Sequence, residues 1–128
     1  MADKKKIKVL LVEDEKSLAD MYMMKFKREG FETCYINNGD GITETAAGEK
    51  PNIIMLDVIL PKVDGFTALK ELKDNSKTKK IPVVMLTNLG QDEDIKKGKE
   101  FGADGYLVKA NLTPTQVIAK IKEVLKMK

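Results

Sequence analysis

The chain has 128 residues, 42% of them hydrophobic and 34% charged, with a net charge of +3. That size and balance suit one folded domain with its own core and exclude an intrinsically disordered chain. Histidine is absent, which excludes mechanisms built on an internal histidine base, and the single cysteine, Cys34, excludes an internal disulfide.

The first apolar run, Ile7 to Val12, reads as a strand covered on both faces, as in a parallel sheet, and it ends at Glu13 and Asp14. Lys16 to Arg28 follows as a helix with Leu18, Met21, Tyr22, Met24 and Phe26 on a broad apolar side, stopped by Gly30. Met21, Met23 and Met24 are compatible with a partner surface, but the plainer expectation is that they fill gaps in the core. Phe31 to Ile36 is a second strand, in which Cys34 is expected to be a small buried residue. After Asn37-Asn38-Gly39 a weak helix runs from about Asp40 to Glu49 and is ended by Pro51. Asn52 to Asp57 is the third strand, and the Leu60-Pro61 and Asp64-Gly65 steps beyond it read as loop.

Asp64 is placed to cap the next helix, whose Phe66, Leu69 and Leu72 share one side. Asp74 to Lys80 reads as a polar loop. Pro82 begins the fourth strand, whose run Val83 to Leu86 ends at Thr87. Asp92, Glu93 and Asp94 suit a helix N-terminus, where they meet the positive dipole end. That helix has few apolar anchors, mainly Ile95 and Phe101, carries Gly98 inside, and is expected to be loosely attached. Asp104 to Lys109 is the fifth strand. Thr113-Pro114-Thr115-Gln116 then offers a hydroxyl cap, a proline at the first helical position and a capping-box glutamine. Val117, Ile118, Ile121, Val124 and Leu125 follow at helical spacing.

Strand and helix alternate through residues 1–128 without linker or repeat, which implies a single α/β domain with a parallel sheet flanked by helices. Ligands of such sheets sit beyond the carboxyl ends of the strands. At that edge fall Glu13, Asp14, Asp57, Thr87 and Lys109, a set of acids, hydroxyl and ammonium suited to a metal ion and a phosphoryl group. Each has a plainer reading alone: capping charge for the acids, a strand-end hydroxyl for Thr87, a solvated lysine for Lys109. Tyr106 alone reads as core. The lysine runs Lys4 to Lys6 and Lys77 to Lys80 read as solvated surface, since no nucleic-acid recognition module accompanies them. No apolar stretch approaches the roughly 18 residues of a membrane span, and the N-terminus lacks signal-peptide character, so a cytoplasmic location is expected.

Val12-Glu13-Asp14-Glu15, the block Asp57 to Gly65, Val83 to Thr87, and Gly102 to Lys109, in this order and spacing, resemble the receiver domain of two-component response regulators over essentially the full length. The likeness is to the stand-alone, chemotaxis-regulator-like kind. It implies a flavodoxin-like, doubly wound fold with a five-stranded parallel sheet of order 2-1-3-4-5 and five helices, and no effector domain. It also implies a phosphorylation switch rather than a turnover enzyme. In that reading Asp57 accepts a phosphoryl group from a phosphohistidine on a sensor histidine kinase or phosphotransfer protein. Glu13, Asp14, Asp57 and the backbone carbonyl of Ile59 hold Mg2+. Lys109 and Thr87 bind phosphoryl oxygens, and Tyr106 changes rotamer with Thr87. Output passes to an unnamed protein partner, with no nucleic acid or membrane contacted directly, from a monomer or a phosphorylation-dependent dimer.

Two other functions remain open at this point. One is a receiver-like interaction module that works without phosphorylation. The other is a Mg2+-dependent aspartyl phosphatase, although such enzymes usually carry a second aspartate two residues after the nucleophile, where this chain has Ile59.

Four positions depart from the family pattern. Ala110 follows Lys109 where proline is common, often after a cis bond; a cis bond before a non-proline costs roughly 2.5–4 kcal/mol, so this loop is either trans or strained. Asn88 follows Thr87 where a very small residue is usual, and its amide is placed to narrow access to Asp57 or to bond the phosphoryl group. Ile59 and Leu89 stand where the family tunes hydrolysis. Both are apolar, which makes a poor seat for attacking water and implies a long-lived phosphoryl-aspartate.

Overall fold

In a computed structural model describing residues 6–127, five strands and five helices alternate. They are β1 (Lys8–Val12), α1 (Lys16–Arg28), β2 (Glu32–Ile36), α2 (Ile42–Glu49), β3 (Ile53–Leu56), α3 (Gly65–Asp74), β4 (Val83–Thr87), α4 (Asp92–Glu100), β5 (Gly105–Val108) and α5 (Pro114–Val124). A 3-10 turn, Lys109–Asn111, separates β5 from α5. All neighbouring strands are parallel, in the order β2-β1-β3-β4-β5. Of the Lys4 to Lys6 run, Lys4 and Lys5 lie outside the described residues.

Both faces of the sheet are covered, so the central strands are apolar at consecutive positions rather than at alternate ones, apart from Lys8 and Thr87 at their ends. Val9, Leu11, Ile53, Met55, Val84 and Leu86 pack with Ala19, Tyr22 and Phe26 of α1 and Val117, Ile118 and Ile121 of α5. The intervening residues Leu10, Val12, Ile54, Leu56, Val83 and Met85 face α2 and α3, meeting Ile42, Ala46, Phe66, Leu69 and Leu72. The strand order explains this division. Crossovers are right-handed, so a chain that first steps one way to β2 and then returns past β1 must place α1 and the later crossover helices on opposite faces.

Sequence signals set most helix ends. The Asp64 carboxylate accepts from the Phe66 N–H at 2.8 Å and starts α3. Thr113 and Gln116 form a reciprocal capping box on α5. Helix α2 begins at Ile42 rather than Asp40, because Gly41 takes a left-handed conformation (φ +73°) that no helix continues through. Strand β3 stops at Leu56, since its partner strand β1 ends at the facing Val12. Asp57 and Lys109 are therefore the first residues beyond their strands rather than the last within them.

Three side-chain environments differ from the sequence expectation. Met21 and Met24 are exposed, because the buried side of α1 is narrower than the apolar pattern and is filled by Ala19, Tyr22 and Phe26. Cys34 is half-buried, on the strand at the sheet edge. The segment after α3 is not merely a polar loop: Thr78 is fully buried and its hydroxyl donates to the Leu72 carbonyl at 2.6 Å. Helix α4 buries only Gly98 among its residues. Just past its end, Phe101 meets Phe66 edge-on at 6.4 Å, and the Lys97 ammonium lies 4.8 Å from the Phe66 ring centre. Among the described residues no helix is long and apolar enough to cross a membrane.

Thr78→Val keeps the shape but removes the donor that satisfies the Leu72 carbonyl near the C-terminus of α3. A loss of about 1–2 kcal/mol in urea-unfolding free energy is expected. A change within experimental error would show that the bond contributes nothing net.

Candidate functional site

The site arises where the strand order reverses. In β1 and β3, Val12 pairs with Leu56, so Glu13 and Asp57 leave adjacent strand ends side by side. The backbone continues the register for one more step, with the Asp57 N–H donating to the Val12 carbonyl at 3.2 Å and the Glu13 N–H to Ile36 at 3.1 Å. The hydroxyl of Tyr35 donates to the Glu13 carbonyl at 2.8 Å, a support that nothing in the sequence pattern announces. On the other flank Thr87 pairs with Val108, so Asn88 and Lys109 leave the ends of β4 and β5 together.

Lys109 crosses this edge to reach both acids. Its ammonium donates to Asp57 Oδ2 at 2.7 Å and also to Glu13 Oε1. The three side chains are 9%, 6% and 2% exposed for Lys109, Asp57 and Glu13, so the ion pairs are largely withdrawn from water. Unpaired charges there would be costly. Each acid carries a further donor: the Ile59 N–H on Asp57 Oδ1 at 3.2 Å, and the Glu15 N–H on Glu13 Oε2 at 3.0 Å. Among the described residues no buried side-chain nitrogen or oxygen lacks a hydrogen-bond partner.

Burial sets the protonation behaviour. It pushes the Glu13 carboxyl above its ordinary range, against the lowering by Lys109 and the Glu15 N–H. Burial also works to lower Lys109, but hydrogen bonds from the ammonium to Asp57 and Glu13 outweigh it and hold the group above its usual value. Lys109 is therefore an ammonium at neutral pH.

Asp14 is exposed and completes an acidic set: carboxylate oxygens of Glu13, Asp14 and Asp57 lie within 4.8 Å of one another. An all-oxygen donor set of this charge suits a hard divalent cation such as Mg2+ rather than a soft one. These residues line an open cleft of about 440 Å³ together with Ile59, Asn88 and Lys109. A larger cleft, about 550 Å³, lies between α2 and α3, away from this chemistry, and is lined by Asp40, Glu44, Glu71 and Asp74 among others.

The loop after β4 ties the site to β5. Thr87 is fully buried, and its hydroxyl accepts from the Leu89 N–H at 3.3 Å. The Tyr106 hydroxyl donates to the Leu89 carbonyl at 2.5 Å, and burial, with the charges of Asp94 and Asp57, pushes it up to about 12. The Tyr106 ring lies against Gly98 of α4, where an added Cβ would stand 2.9 Å from ring carbon Cδ2. The Asn88 side chain accepts from the Ala110 N–H at 3.0 Å. No peptide bond among the described residues is cis, so Lys109–Ala110 is trans. At Gly65 an added Cβ would lie 2.5 Å from the Val58 Cα, so only glycine lets α3 start so close to the Asp57 loop.

The structure thus brings together Glu13, Asp14, Asp57 and Lys109. It sets Thr87 at the end of the neighbouring strand and holds Tyr106 to the same loop. The side chain of Ile59 is 57% exposed at the cleft. Two supports were not legible in the sequence: the Tyr35 bond and the link from Asn88 to Ala110.

A family model described as "Response regulator receiver domain" matches residues 9–122. Among curated proteins, the chain is 36% identical to the phosphate regulon transcriptional regulatory protein PhoB of Escherichia coli, over 93% of this chain and 52% of that one. It is 34% identical to the alkaline phosphatase synthesis transcriptional regulatory protein PhoP of Bacillus subtilis, over 93% of this chain and 48% of the relative. The chain therefore spans about half the length of these curated relatives. Among solved structures, a putative response regulator from Chloroflexus aurantiacus superposes with a TM-score of 0.88 at 29% identity, covering 95% of this chain and 99% of that one. The chemotaxis response regulator CheY4 of Vibrio cholerae gives 0.86 at 29% identity, covering 94% and 99%.

Lys109→Met tests the electrostatics. Without the ammonium, the buried Glu13 carboxyl must rise further above its ordinary value of 4.5. A carboxyl that binds its proton more readily folded than unfolded stabilises the fold progressively as pH falls through the folded-state value, until the unfolded chain also protonates. Relative to the wild type, Lys109→Met is expected to gain stability as the pH is lowered from neutral toward the ordinary carboxylate value, with a limiting slope of about 1.4 kcal/mol per pH unit for one extra bound proton. Urea denaturation at a series of pH values reads the difference; a flat difference would contradict the buried ion pair.

Proposed function

Because the chain belongs to the response regulator receiver domain family, we propose that it is a phosphorylation switch whose acceptor is Asp57. The observation that carries this reading is the buried Asp57 at the switch in strand order, its carboxylate held by Lys109 and flanked by Glu13 and Asp14. The donor is a phosphohistidine on a sensor histidine kinase or phosphotransfer protein. An Asp57 oxygen forms a bond to phosphorus as the bond from phosphorus to the histidine nitrogen breaks, and that nitrogen keeps the electron pair.

Glu13, Asp14 and Asp57, with the Ile59 carbonyl, are the residues that would hold Mg2+, which when bound screens the acids from the incoming phosphoryl charge. Lys109 supplies a fixed positive group beside the acceptor oxygen, and transferring it from carboxylate to phosphoryl oxygens costs little reorganisation. The buried Thr87 hydroxyl is the second ligand for those oxygens. Moving it breaks its bond from the Leu89 N–H, and Leu89 is also the residue that holds Tyr106. The switch is therefore a population shift between two arrangements of the loop after β4, with the phosphoryl group favouring one of them. Helix α4, with only Gly98 buried, is the element most easily biased. The product is a signalling state rather than a released molecule, and its output runs through protein contacts.

Incubation with acetyl phosphate and Mg2+, followed by intact-mass measurement, is expected to give one phosphoryl adduct on the wild type and none on Asp57→Ala. Absence of an adduct on the wild type would favour a constitutive interaction module. Sustained release of phosphate from assorted phosphomonoesters would favour a phosphatase.

The apolar side chains of Ile59 and Leu89 offer no hydrogen bond to an attacking water, so the phosphoryl-aspartate is long-lived in this reading. The double variant Ile59→Asn with Leu89→Glu is expected to shorten its half-life by about tenfold or more, on the scale of well-placed proton-handling groups. A half-life equal to or longer than that of the wild type would remove the argument.

A further inference from the structure

Asn88 and Ala110 are separate anomalies in the sequence, but in the fold they are one contact. The Ala110 N–H donates to Asn88 Oδ1 at 3.0 Å. A main-chain amide can only donate, so the side-chain atom that meets it is the oxygen, and the Asn88 NH2 is turned away from Ala110. The Lys109 carbonyl, at the other edge of the same peptide group, accepts from the Leu112 N–H at 3.3 Å within the 3-10 turn. The peptide that follows Lys109 thus has both polar groups bonded, one within its own turn and the other across to the loop after β4.

We infer that Asn88 is a positioning residue: its side-chain oxygen clamps the Lys109–Ala110 peptide and so aims the Lys109 ammonium at the phosphoryl group received by Asp57. This inference rests on the reading of Asp57 as phosphoacceptor and deepens it. Lys109 has a long, flexible stem, and its charge acts on the reaction only when the base of that stem is fixed. The clamp needs a donor at residue 110. Proline there carries no N–H, so the bond is available because residue 110 of this chain is not proline. Register makes the contact possible, since Thr87 faces Val108 and the next residues of both strands emerge together.

The test uses two readouts on the wild type, Asn88→Ala, Asn88→Asp, Ala110→Pro and the double variant Asn88→Ala with Ala110→Pro. The first is hydrogen exchange of the Ala110 amide, followed by 1H–15N NMR in the unphosphorylated protein. The second is the maximal rate of Asp57 phosphorylation by acetyl phosphate, with the Mg2+ concentration for half-maximal rate measured separately. Asn88→Ala is expected to lose the Ala110 protection and to slow maximal phosphorylation about three- to tenfold, the effect of one neutral hydrogen bond. The half-maximal Mg2+ concentration should not move, because Asn88 is not among the acidic donors. Asn88→Asp keeps an oxygen in place and should restore the protection. With proline at 110, Asn88→Ala should cause no further slowing.

Unchanged Ala110 exchange in Asn88→Ala, an unchanged phosphorylation rate, or an equal loss in the proline background would each overturn the clamp. If the wild type itself takes no phosphoryl group, the phosphoacceptor reading fails, and the role of the clamp in catalysis fails with it. That failure shows in the wild type, whereas failure of the clamp alone shows only in the variants.

Discussion

The ammonium of Lys109, held between Glu13 and Asp57, is the contact on which the site depends. Three carboxylates sharing one sheet edge repel one another, and two of them are nearly inaccessible to water. Without a cation among them, each buried charge would meet a large desolvation cost with nothing to offset it. With the lysine in place part of that negative charge is offset from within the fold. The same ammonium is the group needed beside a phosphoryl oxygen, so a single side chain serves the resting pocket and the proposed chemistry in turn.

The geometry follows from topology more than from local sequence. Glu13 and Lys109 are far apart in the chain and meet because β1 and β5 both present their carboxyl ends at one edge, on either side of β3 and β4. Parallel pairing makes this unavoidable: every strand enters at the same end and leaves at the other. The reversal between β1 and β3 then opens a crevice, and the Val12–Leu56 pairing sets the two carboxylates at equal depth within it. Glu13, Asp57 and Asn88 are the first residues beyond β1, β3 and β4, and Lys109 opens the 3-10 turn after β5, so each functional group sits one step past a rigid strand.

Much of this was legible in the sequence because the signals were local. Uninterrupted runs such as Ile53 to Leu56 and Val83 to Leu86 mark strands buried on both faces, and Thr113-Pro114-Thr115-Gln116 marks a helix start. The residues themselves did not supply the strand order, which came with the family resemblance. Contacts that depend on register across the sheet stayed hidden. Nothing in the neighbourhood of Tyr35 says that its hydroxyl meets the Glu13 carbonyl, and nothing near Asn88 says that Ala110 is opposite. Met21 and Met24 misled because apolar spacing on a helix defines a broad arc, whereas the sheet and α5 cover only the part occupied by Ala19, Tyr22 and Phe26. Thr78 misled because its neighbours are polar and its burial is set by the end of α3 above it.

A cation joined to the backbone differs from a dissolved one in that it cannot be diluted away. Its effective concentration at the two acids is set by the fold rather than by the medium. The lysine therefore gives the crevice a positive partner whose presence does not depend on the ions in the surrounding solution, and the edge where the strands end is assembled as soon as the sheet is.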